Sequence, residues 1–158
     1  MKKFKIEIKW GIIFSFASLL WMMFEKRIGW HDELIAKQPI YTNLFGLVAI
    51  AIFLLAIYDK RKHFYGGRMS WSQGFVSGII LTVVISLLTP LVQYITSAWI
   101  TPHFFENVIK YTVETGQMKR AAAEEYFNLR SYILMSTFSA LAMGIVTAAI
   151  AALILRKK

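Results

Sequence analysis

The sequence predicts an all-α integral membrane bundle of four helices with an extramembrane amphipathic helical segment between the third and the fourth. Three observations carry that expectation: long runs free of charge, basic residues gathered on one side, and small side chains repeated every four positions. Asp, Glu, Lys and Arg are missing from 10–24, 38–58, 69–105 and 131–155. A helix needs about 20 mostly apolar residues to cross a bilayer. The last three runs reach that length. The first reaches it once Ile6 and Ile8 are added and Lys5 and Lys9 extend to the headgroups. The spans are therefore expected at 6–25, 40–58, 71–99 and 128–155, within one membrane domain covering 1–158. Alternating segments of about ten residues, the mark of a membrane barrel, are not found.

A cleavable signal peptide is the rival for the first span. "LLWMMFEKR" puts bulky Trp21, Met22 and Met23 where a small-x-small cleavage site belongs, so an uncleaved anchor is expected.

The formal net charge is +9. It is not spread evenly. Lys2, Lys3, Lys5, Lys9, Lys60, Arg61, Lys62, Arg68, Arg156, Lys157 and Lys158 face only Glu7 and Asp59 in the terminal segments and the second loop, whereas the other two loops balance. The positive-inside rule puts that side, with both termini, in the cytoplasm. Topology and anionic lipid account for these lysines. A nucleic-acid surface would need readers interleaved on a folded face, and "DKRKH" is too short for one. Trp10, Tyr58 and Trp71 then fall at one interface and Trp21, Tyr41, Trp99 and Tyr132 at the other.

Between the first two spans, "EKRIGWHDELIAKQP" reads as an outside connection. "DKRKHFYGGRM" returns on the inside through a Gly66-Gly67 turn. The third span opens on Ser70-Trp71-Ser72-Gln73, a capping box in which Gln73 reaches back to the cap. The outer segment, 102–130, is the least ordinary part. Thr101 and Pro102 read as N-cap and first residue of a helix. Phe105, Val108, Ile109, Thr112 and Val113 share one side of it, and Glu106, Asn107, Lys110 and Glu114 face away. Met118, Ala122, Tyr126, Leu129 and Ile133 share a second face, so the fourth span is expected to begin well outside the bilayer. Phe105, Val108 and Ile109 are the candidate partner surface.

Gly74, Gly78, Thr82 and Ser86 lie every four residues on the third span, and Ser136, Ala140, Gly144, Ala148 and Ala152 on the fourth. Helices in lipid associate through close backbone approach, which small residues permit. The two ridges are expected to pack together, with Gly11 and Ser15 of the first span and Gly46 of the second adding to the contacts. Pro90 removes the helical donor of the Ser86 carbonyl, predicting a kink there. Thr89, Gln93 or a neighbouring helix is expected to satisfy the freed group. The sharper alternative is a polar pathway lined by Thr82, Ser86, Thr89 and Gln93.

Chemistry is sparse. Membrane pumps carry an ionisable group facing the interior, and the middles of the last three spans hold none. Trp21 and Glu25, one turn apart, resemble an arrangement in small multidrug exporters, but Lys26 and Arg27 follow at once, so Glu25 is expected at the water boundary. His31, Asp32 and Glu33, with His103 and Glu106, read as solvated loop residues rather than a metal site, since there are no cysteines. No catalytic residue, metal ligand or cofactor motif is assigned.

The stretches "KWGIIFSFASLLWMMFE", "IYTNLFGLVAIAIFLLAIYDKRK", "MSWSQGFVSGIILTVVIS", "YITSAWITPHFFENVI" and "GIVTAAIAALILRKK" resemble those of a bacterial membrane family, domain of unknown function 4199. That resemblance covers nearly the whole chain. It implies four spans and an inner-membrane location, and no activity. The function expected is a non-enzymatic accessory or scaffold subunit of an envelope system. Its partners would be the lipid bilayer and an envelope protein or a second copy, with no nucleic acid. The alternative is a small transporter working through the third span.

Overall fold

The computed structural model describes residues 4–157; the charges at Lys2, Lys3 and Lys158 lie outside the described residues. Six helices follow one another: α1 (Lys5–Ile28), α2 (Phe45–His63), α3 (Trp71–Ile95), α4 (Phe104–Glu114), α5 (Arg120–Tyr126) and α6 (Leu129–Leu155). Short helical turns at Ile35–Lys37, Gln38–Tyr41 and Thr42–Leu44 lead into α2, and a π-turn at Thr96–Ile100 prolongs α3. Among the described residues four segments are long and apolar enough to cross a membrane: Lys5–Ile28, Ile35–His63, Trp71–Ile100 and Leu129–Leu155. The chain is an all-α, multi-pass membrane protein.

The core is small because most apolar side chains face outward. Phe53, Ala56, Leu81, Ile85 and Ala148 form its centre, with Ile57, Met69 and Ala151 as a second cluster. Phe16, Leu20, Leu87, Phe138 and Met143 are exposed. In water that surface would be a liability; against lipid tails it carries no penalty. α3 is the most buried span and α1 the least.

Helix ends follow from local chemistry. The Ser70 hydroxyl accepts from the Gln73 N–H, and the Ser70 N–H donates to Gln73 Oε1, so the expected capping box is formed. At the end of α6, Arg61 donates to the Leu155 carbonyl at 2.9 Å, and Met69 and Lys157 exchange backbone hydrogen bonds. These contacts satisfy carbonyls that a helix end leaves open.

Four expectations are corrected here. α2 runs on to His63, so Asp59 to His63 are helical rather than loop. The helix after Pro102 starts at Phe104, because Thr101 turns its N–H and hydroxyl back to the Thr96 carbonyl and closes the π-turn instead of capping forward. The stretch leading into the fourth span is broken. Asn128 sits in extended backbone, accepts from the Ser131 N–H, and donates to the Glu124 and Glu125 carbonyls. One side chain thus ends α5 and starts α6. Lastly, Gly46 is exposed and meets nothing, so it takes no part in packing.

Candidate functional site

The two ridges meet. A Cβ on Gly74 would lie 3.1 Å from the Ala152 Cβ, one on Gly78 would lie 3.1 Å from the Ala148 Cα, and one on Gly144 would lie 2.5 Å from the Thr82 Cγ2. Each step of four up α3 is matched by a step of four down α6, which is an antiparallel seam of close backbones. The Thr82 hydroxyl is spent inside it on the Gly78 carbonyl. Gly11 of α1 is closed in the same way by Val84. This half of the bundle, at the end carrying the termini, is sealed.

It is also cross-linked by charge. Glu7 of α1 and Lys60 of α2 are 1 % and 3 % exposed, with the ammonium 2.9 Å from the carboxylate. Ser77 of α3 donates to the same carboxylate at 2.7 Å, and the Phe64 ring lies under the ammonium, 4.0 Å away. Three helices therefore share one buried ion pair. Burial, and then the Glu7 carboxylate, raise the Tyr65 phenol above its ordinary value. On the more open side Asp59 takes Lys9, the Trp10 indole at 2.8 Å and His63 at 2.7 Å. From the sequence alone, Glu7 falls in the N-terminal segment and Lys60 in the second loop. The pairing spans 53 positions, and no local pattern announces it.

At the opposite end the signal was local but easy to miss. Gly29 takes a φ of 88° and ends α1 in a Schellman turn: its N–H bonds the Lys26 carbonyl, and that of Trp30 bonds the Glu25 carbonyl. A left-handed residue costs glycine nothing. The reversal brings His31 back over α1, where Nε2 lies 2.8 Å from Glu25 Oε2, while the Trp21 indole donates to Glu25 Oε1 at 2.5 Å. Glu25 is 0 % exposed and His31 3 %. Neither is solvated, which corrects the expectation for His31; Glu25 is buried and paired with Trp21 and His31.

α4 lies across this site. Asn107, expected to face away, donates to the His31 carbonyl and to Asp32 Oδ1. Phe104 is buried against the His31 ring, and Phe105 packs edge-on against Tyr132 of α6 at 5.0 Å. The apolar face of α4 is thus largely spent on the bundle. Val108 is half-buried, and Ile109 lines a groove between α4 and α5 rimmed by Glu106, Lys110, Arg120 and Glu124.

Beneath α4 the helices part. Two adjoining cavities of about 350 and 380 Å³ share Met22, Thr42, Gln93, Thr96, Ser136 and Ser139 as walls. The one nearer α4 adds His31, Gln38, Ser97, Phe104 and Tyr132. The deeper one adds Phe14, Phe45, Ile85, Thr89 and Ala140. Of the proposed polar pathway, Thr89 and Gln93 line the space; Thr82 and Ser86 are buried below it. Gln93 donates to Ser136 at 2.8 Å and Thr89 to the Ile85 carbonyl, so neither hydroxyl nor amide turns to the carbonyl that Pro90 frees at Ser86. His31 Nδ1, Ser86 Oγ, Thr96 Oγ1 and Thr137 Oγ1 are buried with no partner among the described residues.

Among the described residues no three His, Cys, Asp or Glu side chains converge to hold a metal, and His103 and Glu106 form an exposed pair 3.5 Å apart.

Fold and site together define a polytopic α-helical membrane protein, sealed in one half and hollow and polar in the other. The chain belongs to the family described as "Protein of unknown function (DUF4199)", whose family model matches residues 9–157. No curated protein and no solved structure matches it.

Proposed function

We propose that this chain is a non-enzymatic binding subunit of the bacterial cytoplasmic membrane, accessory to an envelope enzyme or carrier that handles lipid-linked material. The observation that carries this reading is the chamber under α4, walled by all four spans and roofed by Phe104 and Phe105. Polar groups held inside membrane helices are costly, and they concentrate where a ligand is held. The excess of Lys and Arg around the termini and the α2–α3 loop supports a cytoplasmic placement of both ends. Val108, Ile109 and the charged groove beside them are the face offered to an envelope protein. Purification in mild detergent with chemical cross-linking and mass spectrometry tests this. A partner cross-linked through α4 or α5, and lost when Val108 and Ile109 become Ser, is the expected result; a chain recovered only with itself contradicts the accessory role.

One observation favours a second reading, a small transporter. Ionised groups inside spans mark ion and substrate pathways, and Glu7–Lys60 is such a pair. A pathway through α3 would have to pass Thr82 and Ser86, where the seam is closed. Transport lost on Thr82→Val and Ser86→Ala, with α4 variants tolerated, would favour this reading over the first.

A further inference from the structure

We infer that the chamber receives a neutral, hydroxyl-rich head group of the sugar class, with an apolar chain in its deeper part; this rests on the binding reading above. Charge narrows the ligand first. Among the described residues no Lys, Arg, Asp or Glu lines either cavity, and Glu25, behind His31, has each oxygen held, by Trp21 and by His31. A phosphate would find no cation there, and an ammonium no open anion, and an unpaired charge in a low-dielectric site is costly.

The walls instead offer groups that both donate and accept: the hydroxyls of Thr42, Ser97 and Ser139, and the amide of Gln38. Two polar atoms just behind these walls, His31 Nδ1 and Thr96 Oγ1, have no partner among the described residues, and a buried polar group left unpaired costs about 1–3 kcal/mol. A sugar ring carries several hydroxyls around its rim, each a donor and an acceptor, so it can meet scattered groups of this kind together. A flat ligand with two acceptor oxygens would leave most of them unmet. The roof is aromatic, with Phe104 and Phe105 both against Tyr132, which suits the C–H face of a sugar. Below it, Phe14, Phe45, Ile85 and Val92 give the second cavity an apolar floor. Each cavity exceeds several-fold the roughly 30 Å³ that one water occupies.

The full-length chain in phosphatidylcholine nanodiscs provides the test, with four probes: glucosyl-diacylglycerol, diacylglycerol, phosphatidylglycerol and free glucose. Thermal unfolding and native mass spectrometry report binding. Saturable binding of one glucosyl lipid per chain is expected, weakened about tenfold or more by Thr42→Val, which removes one hydrogen bond from the wall shared by the two cavities. Ser139→Trp fills the cavity from an exposed position on α6 and gives the same loss should Thr42→Val fold poorly. Free glucose binding as tightly as the glucosyl lipid supports the same head-group chemistry and identifies a soluble source. Diacylglycerol or phosphatidylglycerol binding equally well, and lost with Ser139→Trp, overturns the sugar assignment while leaving the chamber a binding site. No saturable binding of any probe overturns both.

Discussion

α3 and α6 run side by side for most of their length, yet their two halves behave differently. From Gly74 to Thr82, glycine and alanine let the backbones touch, and one buried ion pair ties α1, α2 and α3 together. Beyond Pro90 the facing residues are Gln93, Thr96, Ser136 and Ser139, and the space between them stays open. The seam would place Pro90 opposite Ser136; Ser136 is met by the Gln93 amide instead. The difference lies in side-chain size and polarity. Small apolar side chains close a seam in lipid because nothing need be desolvated, whereas an amide and several hydroxyls satisfy one another only in part and leave a hollow.

The largest effect should come from breaking the charge cluster on one side only. Lys60→Met leaves Glu7 buried beside Ser77, and stranding one partner of a buried pair costs about 3–5 kcal/mol. Thermal unfolding in detergent should show a marked fall, largely restored by adding Glu7→Leu. Equal losses in the single and double variants would mean that the pair is not what holds the three helices.

Next comes the seam. Gly78→Leu and Gly144→Leu force a side chain into Ala148 and Thr82 respectively, and overpacking of this kind costs about 1–3 kcal/mol. Gly46→Leu, at an exposed position, should change little. Yields and melting temperatures of the three variants separate a packed ridge from a lipid-facing one, and parent-like behaviour of all three would remove the seam from the account.

An effect of similar size, and then a smaller one, are expected at the hollow end. His31→Phe leaves one oxygen of Glu25 unpaired in a buried site, at a cost of about 1–3 kcal/mol. Gln93→Leu, facing the cavity, should cost under about 1 kcal/mol, since its loss leaves the Ser136 hydroxyl free to meet water. If Gln93→Leu proves the more damaging, the hollow is a load on stability rather than a tolerant space.

What the sequence disclosed depended on the range of the interaction. The spans, the Ser70 capping box and the glycine ridges all repeat or act within a few residues, and each could be read directly. The meeting of Glu7 with Lys60 is long-range, and a lysine at the end of a span looks the same whether it snorkels to water or turns inward. His31 lay closer to reach: a glycine four residues after Glu25 signals a reversal, and a histidine just past it is carried back over the helix. Phe104 is missed in favour of Phe105 because the buried line of α4 runs through Phe104 and Thr112, to one side of the face read from the sequence.

The contrast between a sealed and a hollow half is tested most directly by thiol accessibility. The chain contains no cysteine, so single substitutions report without background. Cysteines at Gln93, Ser97, Ser136 and Ser139 should react with a small membrane-impermeant maleimide applied to intact vesicles from the α4 side, and Ser77→Cys and Ala148→Cys should not react from either side. Labelling at Ser77 or Ala148 as fast as at Ser139, or no labelling at any of the four cavity positions, would contradict the account.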